Sequence, residues 1–285
     1  MNDIDTKMLS IVVANYNYGR FLETALNSVL SQMPTEAELI VVDGGSTDNS
    51  LEIIRHHASE LAWWVSEKDT GQSNAFNKGF SHAKGRYLTW LNADDVMFPG
   101  AIDRIVRAIK HNPSCEWFAG GCCWLDQDLR VLRCSRGRRF SKMRADAGDI
   151  QVYAPSSVFA RTLYDRVGGF IDENCNYVMD IELWNRFYRL GNVTYQPLSG
   201  YNWGLRLHPE AKMSGHNFAQ SPTSNPNHPI HAKKDSEYQN VLSKYATSKM
   251  SGLKYILSLS PVKSIQGRID TLRYRGRYYS EVEND

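Results

Sequence analysis

The run Tyr87-Leu88-Thr89-Trp90-Leu91 ends in Asn92-Ala93-Asp94-Asp95, so a short apolar segment delivers two adjacent carboxylates to its carboxyl end. Neighbouring aspartates repel unless something positive stands between them. A hard divalent cation with oxygen ligands, itself holding phosphates, fits that place. The same residues also fit a plain strand-to-helix turn capped by Asp94 or Asp95. Other polar turns follow apolar runs in the same way: Asn15-Tyr16, Asp43, and the Asp69–Gln72 turn. In an open α/β sheet ligands bind outside the carboxyl ends of the strands. A nucleotide bound there would find Asp43 as an acceptor for a base or ribose, although Asp43 also suits a helix-capping turn. A further carboxylate, Asp180, sits in Tyr177–Leu190 and shares its helical face with Trp184 and Phe187. Beside aromatic surface it is a candidate general base, and equally a first-turn acid favoured by the helix dipole. Glu182, two residues on, points to nearly the opposite face.

These groups need elements to carry them. Leu9–Ala14 and Leu39–Val42 are compact β-branched runs, the mark of strands buried on both faces. Ala62–Val65 and Tyr87–Leu91 read as two more strands. Helical spacing appears at Phe21–Leu30, Leu51–Ile54, Ser73–Ala83 and, after Pro99-Gly100, at Ile102, Ile105, Val106 and Ile109. Strand and helix alternating at this rhythm give right-handed βαβ units and a mainly parallel sheet. No GxGxxG follows the first strand and no GxxxxGK[ST] occurs, so neither fingerprinted nucleotide fold is supported. Further along, Glu116–Leu125 and Ser156–Phe159 read as strands, Arg130–Arg139 as a basic hairpin arm or loop, and Leu163–Val167 as a short helix. Gly191 caps the Tyr177–Leu190 helix.

Composition sets outer bounds. The chain has 285 residues, 42% hydrophobic and 22% charged, with a net charge of +2, which argues against a dedicated nucleic-acid binder. No apolar run nears a membrane span of about 18 residues, and the start lacks a signal-peptide layout. Five cysteines with no CxxC pair suit a reduced, cytosolic chain. His228 and His231 suggest a metal pair but bring no further ligands, and Pro222–Pro229 reads as a loop. From Lys244 to Arg277 the tail has eight Lys or Arg against Asp270 alone. With Leu253, Tyr255, Ile256, Leu257 and Leu259 interleaved, it could lie on the anionic inner face of a membrane or pack on its own domain.

Taken in order, the segments resemble a known family. They are Ile11–Asn17, Val41–Asp48, Asn77-Lys78-Gly79, Leu91–Asp95, Gly168-Gly169-Phe170, and Asp180 ahead of Leu183-Trp184. Together they look like the family-two glycosyltransferases of GT-A fold, over about residues 8–214. The resemblance implies an α/β chain with a Rossmann-like, mainly parallel sheet flanked by helices. Residues 1–95 would form its nucleotide-binding half, 96–214 its acceptor-binding half, and 215–285 a loop and a basic, mostly helical extension. It further implies inverting transfer from a nucleotide-diphosphate sugar, a UDP-sugar by default. The acceptor would be a saccharide or lipid-linked hydroxyl, in cell-surface polysaccharide or glycoconjugate synthesis, with Mn²⁺ or Mg²⁺ as cofactor and no nucleic acid. By residue, Asp180 becomes the base, and Asp94, Asp95 and His208 the metal contacts. Ala14, Asn15, Tyr16, Asp43, Gln72, Asn77, Asn92 and Ala93 line the nucleotide sugar. The chain departs from the family pattern where Asn92 replaces the first acid of the metal motif and Gly44 replaces the acid after Asp43. Two rivals share these features: a sugar nucleotidyltransferase, which lacks its Gly- and Arg-rich loop here, and a non-catalytic carbohydrate-binding protein.

Overall fold

The computed structural model describes residues 7–137, 142–148, 150, 152–212, 229–246 and 261–282. The apolar runs become strands β1 (Leu9–Asn15), β2 (Ala37–Asp43), β3 (Trp63–Ser66) and β4 (Tyr87–Asn92), separated by helices α1 (Gly19–Leu30), α2 (Ser50–His56) and α3 (Gln72–His82). The strands lie side by side in the order β3-β2-β1-β4, all parallel. Their register decides where the chemistry falls. Asn15 stands opposite Asp43, Asp43 opposite Ser66, and Ala14 opposite Asn92, so the polar tips end level along one edge. Helix α3 packs hard on β1 because Gly79 has no side chain; a Cβ there would lie 2.2 Å from Cγ1 of Val12.

Beyond β4 the chain runs through β5 (Val96–Met97), α4 (Ala101–His111), β6 (Trp117–Leu125), β7 (Val131–Ser135) and α5 (Lys142–Asp146). It continues through β8 (Ser157–Ala160), α6 (Arg161–Arg166), α7 (Met179–Arg189) and β9 (Tyr195–Arg206). The sheet continues β4-β8-β6-β9-β5, with β7 pairing the side of β6. Here the pairing is antiparallel except between β6 and β9. The expected α/β class holds, with a continuous parallel block in the first four strands and one further parallel pair, β6 with β9. An aromatic cluster joins the two parts: Trp90 stacks on Trp184 at 5.6 Å, and Trp117 and Phe159 close around them.

Strands β5 and β9 were not foreseen. Only two residues long, β5 falls below any periodicity, while β9 contains Pro197, Gly200 and Gly204 and slips register against β6 near Gly121. Trp203 is buried in β9 between β6 and β5.

Two helices follow, α8 (Pro229–Tyr245) and α9 (Pro261–Tyr274). The end of the chain packs on the sheet as part of the fold. Asp270 is buried, bonded to Arg136 at 2.6 Å and to the Tyr201 hydroxyl. Tyr274 and Val282 complete a second apolar cluster with Phe98, Cys123, Leu125 and Val131. All five cysteines are buried and none forms a disulfide. Leu253–Leu259, the Pro222–Pro229 loop before the start of α8, His228 and the side chain of His231 lie outside the described residues. No described helix is long and apolar enough to cross a membrane.

Candidate active site

The turn after β4 has an inner and an outer acid. Asp95 points inward and is fully buried: one oxygen accepts the Arg206 backbone N–H at 3.0 Å, the other the side-chain amide of Asn92 at 2.9 Å. Burial, and then the charge of Asp94, push its carboxyl well above the usual range. Asp95 thus ties β4 to the end of β9 and does not face the cleft, against the expectation that it contacts a metal. Asn92 completes the tie by accepting from Gln72 Nε2 at 2.5 Å. An aspartate at position 92 could not donate to Asp95, which gives the departure from the family's acid a local cause.

Asp94 is the outer acid. Its Oδ2 lies 3.2 Å from Nε2 of His208, just beyond the end of β9. The imidazole is held by packing on Phe21, with ring centroids 4.3 Å apart, and edge-on to Tyr18. Arg20 reaches its Nδ1 at 3.5 Å. Burial and the charges of Asp94 and Asp95 raise the Tyr18 phenol above its ordinary range. Among the described residues no three His, Cys, Asp or Glu side chains gather around a common ion position. The pair Asp94–His208 nevertheless suits a cation that takes its other ligands from phosphate and water, as Mg²⁺ and Mn²⁺ do with nucleotide substrates.

Across the groove, Asp180 sits half-buried in the first turn of α7. Burial pushes its carboxyl up to about 6, against the pull of two backbone N–H groups and the charges of Lys234 and Lys212. Glu182 faces the other way, as its spacing required, into Arg186, Lys244 and Tyr245. Helix α8 therefore grips α7, and its Glu237 also accepts the backbone N–H groups of Asn176 and Tyr177, at 2.9 and 2.7 Å, just ahead of Asp180.

Lys212 connects the two sides. Its ammonium donates to Gln72 Oε1 at 3.3 Å and lies 5.1 Å from the Tyr177 ring. Burial lowers its pKa, while Glu237, Asp180 and Asp94 act on it from three directions. The charges of Asp94 and Asp180 therefore both act on this half-buried cation.

Other expected residues fall differently. Ala14 and Ala93 meet through Ala93 N–H to Ala14 O at 3.1 Å, and Tyr16 is 61% exposed at the rim. Asp43 is fully buried at the tip of β2, accepting from Asn15, Ser46 and Ser66. It organises this turn, and Asp69 leans over it, with a Cβ on Gly44 falling 2.7 Å from Asp69 Oδ2. Asn77 is not brought to the cluster. All its hydrogen-bonding capacity is spent on Ile171, Glu173 and Tyr164. Sequence reasoning gave no role to Arg20, Lys234 or Glu237. Each reaches the groove only through tertiary packing, and no local pattern marks them.

The Glycosyl transferase family 2 model matches residues 10–165, more than half of the chain. The chain belongs to this family. An uncharacterized glycosyltransferase of Nostoc sp. is 40% identical over 105 residues, covering 36% of this chain and 33% of that protein. Another from Rickettsia prowazekii is 26% identical over 200 residues, 68% of this chain and 62% of its own length. The chain thus spans about a third to three-fifths of these curated relatives. Among solved structures, S. aureus TarS 1-349 in complex with UDP-GlcNAc superposes with a TM-score of 0.57 at 15% identity, covering 94% of this chain and 81% of that one. A mannosyltransferase from Pyrobaculum calidifontis in complex with GDP-Man and Mn²⁺ gives 0.53 at 17% identity, covering 93% and 84%. At such identities these matches establish the glycosyltransferase fold.

Proposed function

We propose that this family-two glycosyltransferase moves a sugar from a nucleotide-diphosphate donor to an acceptor hydroxyl, with inversion at the anomeric carbon. The observation that supports the reading is the Asp94–His208 pair beside the level strand tips, with the charges of Asp94 and Asp180 both acting on Lys212. In this reading the donor lies along the level strand tips, its nucleoside against Asn15, Tyr16 and the turn that Asp43 shapes. Asp94 and His208 would hold Mg²⁺ or Mn²⁺ on the diphosphate, where the ion supplies Lewis-acid stabilisation of the departing charge. Lys212 adds a fixed positive charge in a partly dry site, where it is worth more than in water. Asp180 accepts the proton of the attacking hydroxyl. Its carboxyl near 6 leaves it ionised at neutral pH yet basic enough to take that proton. Attack from its side of the groove, opposite the diphosphate, inverts the centre by the geometry of single displacement.

Neighbours bound to UDP-GlcNAc and GDP-Man support a nucleotide-sugar donor, with a uridine nucleotide as the first choice. The acceptor in this reading is a saccharide or lipid-linked hydroxyl of cell-surface glycoconjugate synthesis, met by Asp180. The test is a thermal-shift panel of nucleoside diphosphates and nucleotide sugars with and without Mn²⁺, followed by assay of nucleoside diphosphate release from the donors that bind. Selective metal-dependent stabilisation with slow release of nucleoside diphosphate supports the reading. Pyrophosphate release from a nucleoside triphosphate and a sugar phosphate would overturn it.

A further inference from the structure

The outer face of α9 has a composition that neither the core nor the groove explains. Asp270 and Tyr274 are buried against β7 and the second apolar cluster, which fixes the helix's rotation. Four residues per near-turn then place Leu272 at the middle of the outward face, with Ile269 beside it. Leu272 is 80% exposed and Ile269 50%. Arg268 and Arg275 lie on one flank of this apolar strip and Arg273 on the other, all exposed. Among the described residues from 268 onward the acids are Asp270, buried and paired with Arg136, and Glu281 beyond the helix end. The outward face of the helix therefore carries arginines around leucine and isoleucine, with no acid among them. It also leads toward the groove. Tyr278 follows it on the surface, its ring next to Tyr279, which packs on Phe98. Both tyrosines lie close enough to Arg206, behind Asp95, to act on its charge.

We propose that this face docks on an anionic lipid bilayer. An apolar strip flanked by arginines is what an interfacial helix presents: the aliphatic side chains enter the acyl boundary and the guanidinium groups meet lipid phosphates. A second copy of the chain is a poorer occupant, because a two-fold contact would set each copy's arginines against their equivalents. Nucleic acid would match the charge but leave Leu272 and Ile269 without a role. The inference rests on the surface alone and stands apart from the reaction proposed above.

The experiment is sedimentation of the full chain with phosphatidylcholine vesicles, with and without phosphatidylglycerol. The expected result is binding only to the phosphatidylglycerol vesicles and release by raised salt. Arg268→Glu combined with Arg275→Glu should lower partitioning by more than about tenfold, since each basic residue near such a surface contributes about fivefold. Leu272→Asp should do so as well, and both variants should keep the wild-type melting temperature and turnover on a soluble acceptor. Neither substitution touches a described hydrogen bond, so folding is not the variable. Equal binding to both vesicle types, no binding to either, or unaltered binding by the variants would each overturn the proposal. So would a dimer in light scattering that the leucine substitution abolishes.

Discussion

Replacing Asp180 by asparagine separates two properties that usually fall together. In the folded chain burial raises this carboxyl from 3.8 to about 6. Below pH 3.8 it is protonated whether the chain is folded or not, and it contributes nothing to the balance. Between 3.8 and about 6 the unfolded chain is ionised while the folded one keeps its proton, so folding becomes less favourable as pH rises. Above 6 the whole difference is present. About two pKa units correspond to roughly 3 kcal/mol against the native state at pH 8, and about half that at pH 5. Asparagine removes this penalty, so Asp180→Asn should raise the melting temperature at pH 8 by about 6 °C, taking about 2 °C per kcal/mol for a chain of this size. The gain should shrink toward pH 5. Turnover should meanwhile fall by about 10²–10⁴, the usual worth of a positioned base, with donor affinity retained. The assays are differential scanning fluorimetry across pH and transfer kinetics at saturating donor. Unchanged turnover would remove Asp180 from the proton path. Loss of stability at pH 8 would show that the carboxylate is a structural partner of Lys212 and Lys234, and the burial argument would fail.

Other outcomes follow from the same geometry. Wild-type turnover should rise with pH through about 6 and then level off. Lys212→Met should lower kcat by about tenfold or more by removing a fixed charge. It should also move that pH midpoint upward, because the ammonium holds the Asp180 carboxyl down; an unmoved midpoint would place Lys212 outside the base's field. Asn92→Asp should destabilise the fold by about 1–3 kcal/mol, since a buried hydrogen bond to Asp95 is replaced by two facing carboxylates; an unchanged melt at neutral pH would refute the tie between β4 and β9. Asp94→Ala should abolish the Mn²⁺-dependent part of nucleotide binding, measured calorimetrically, and a variant that keeps it would dissociate Asp94 from the metal.

The first four strands were readable because each is a continuous β-branched run, and a register set by those runs brings Asn15, Asp43 and Asn92 level. The carboxylates at positions 94 and 180 were legible as types in a pattern. Which of two adjacent acids faces outward was not. Asp94 and Asp95 are adjacent in the chain, and the deciding contact, the Arg206 N–H, comes from a strand more than a hundred residues away. Asn77 looked like a site residue because its motif recurs in the family, yet its amide is consumed locally by Ile171 and Glu173. His208 was legible through the resemblance, but strand β9 leading to it was not, because glycines and a proline interrupt it and its strand character comes from neighbours on both sides.

The order of these residues has an evolutionary consequence. In the proposed reading the strand tips that would meet the donor lie within residues 10–165, whereas His208, Lys212 and Asp180 come from segments after them. In that reading new hydroxyl-bearing molecules are recruited by rewriting the later two-fifths of the chain. The earlier part stays as a standing grip on the activated sugar, and a chimera joined after β8 would retain its nucleotide preference while inheriting another enzyme's choice of recipient.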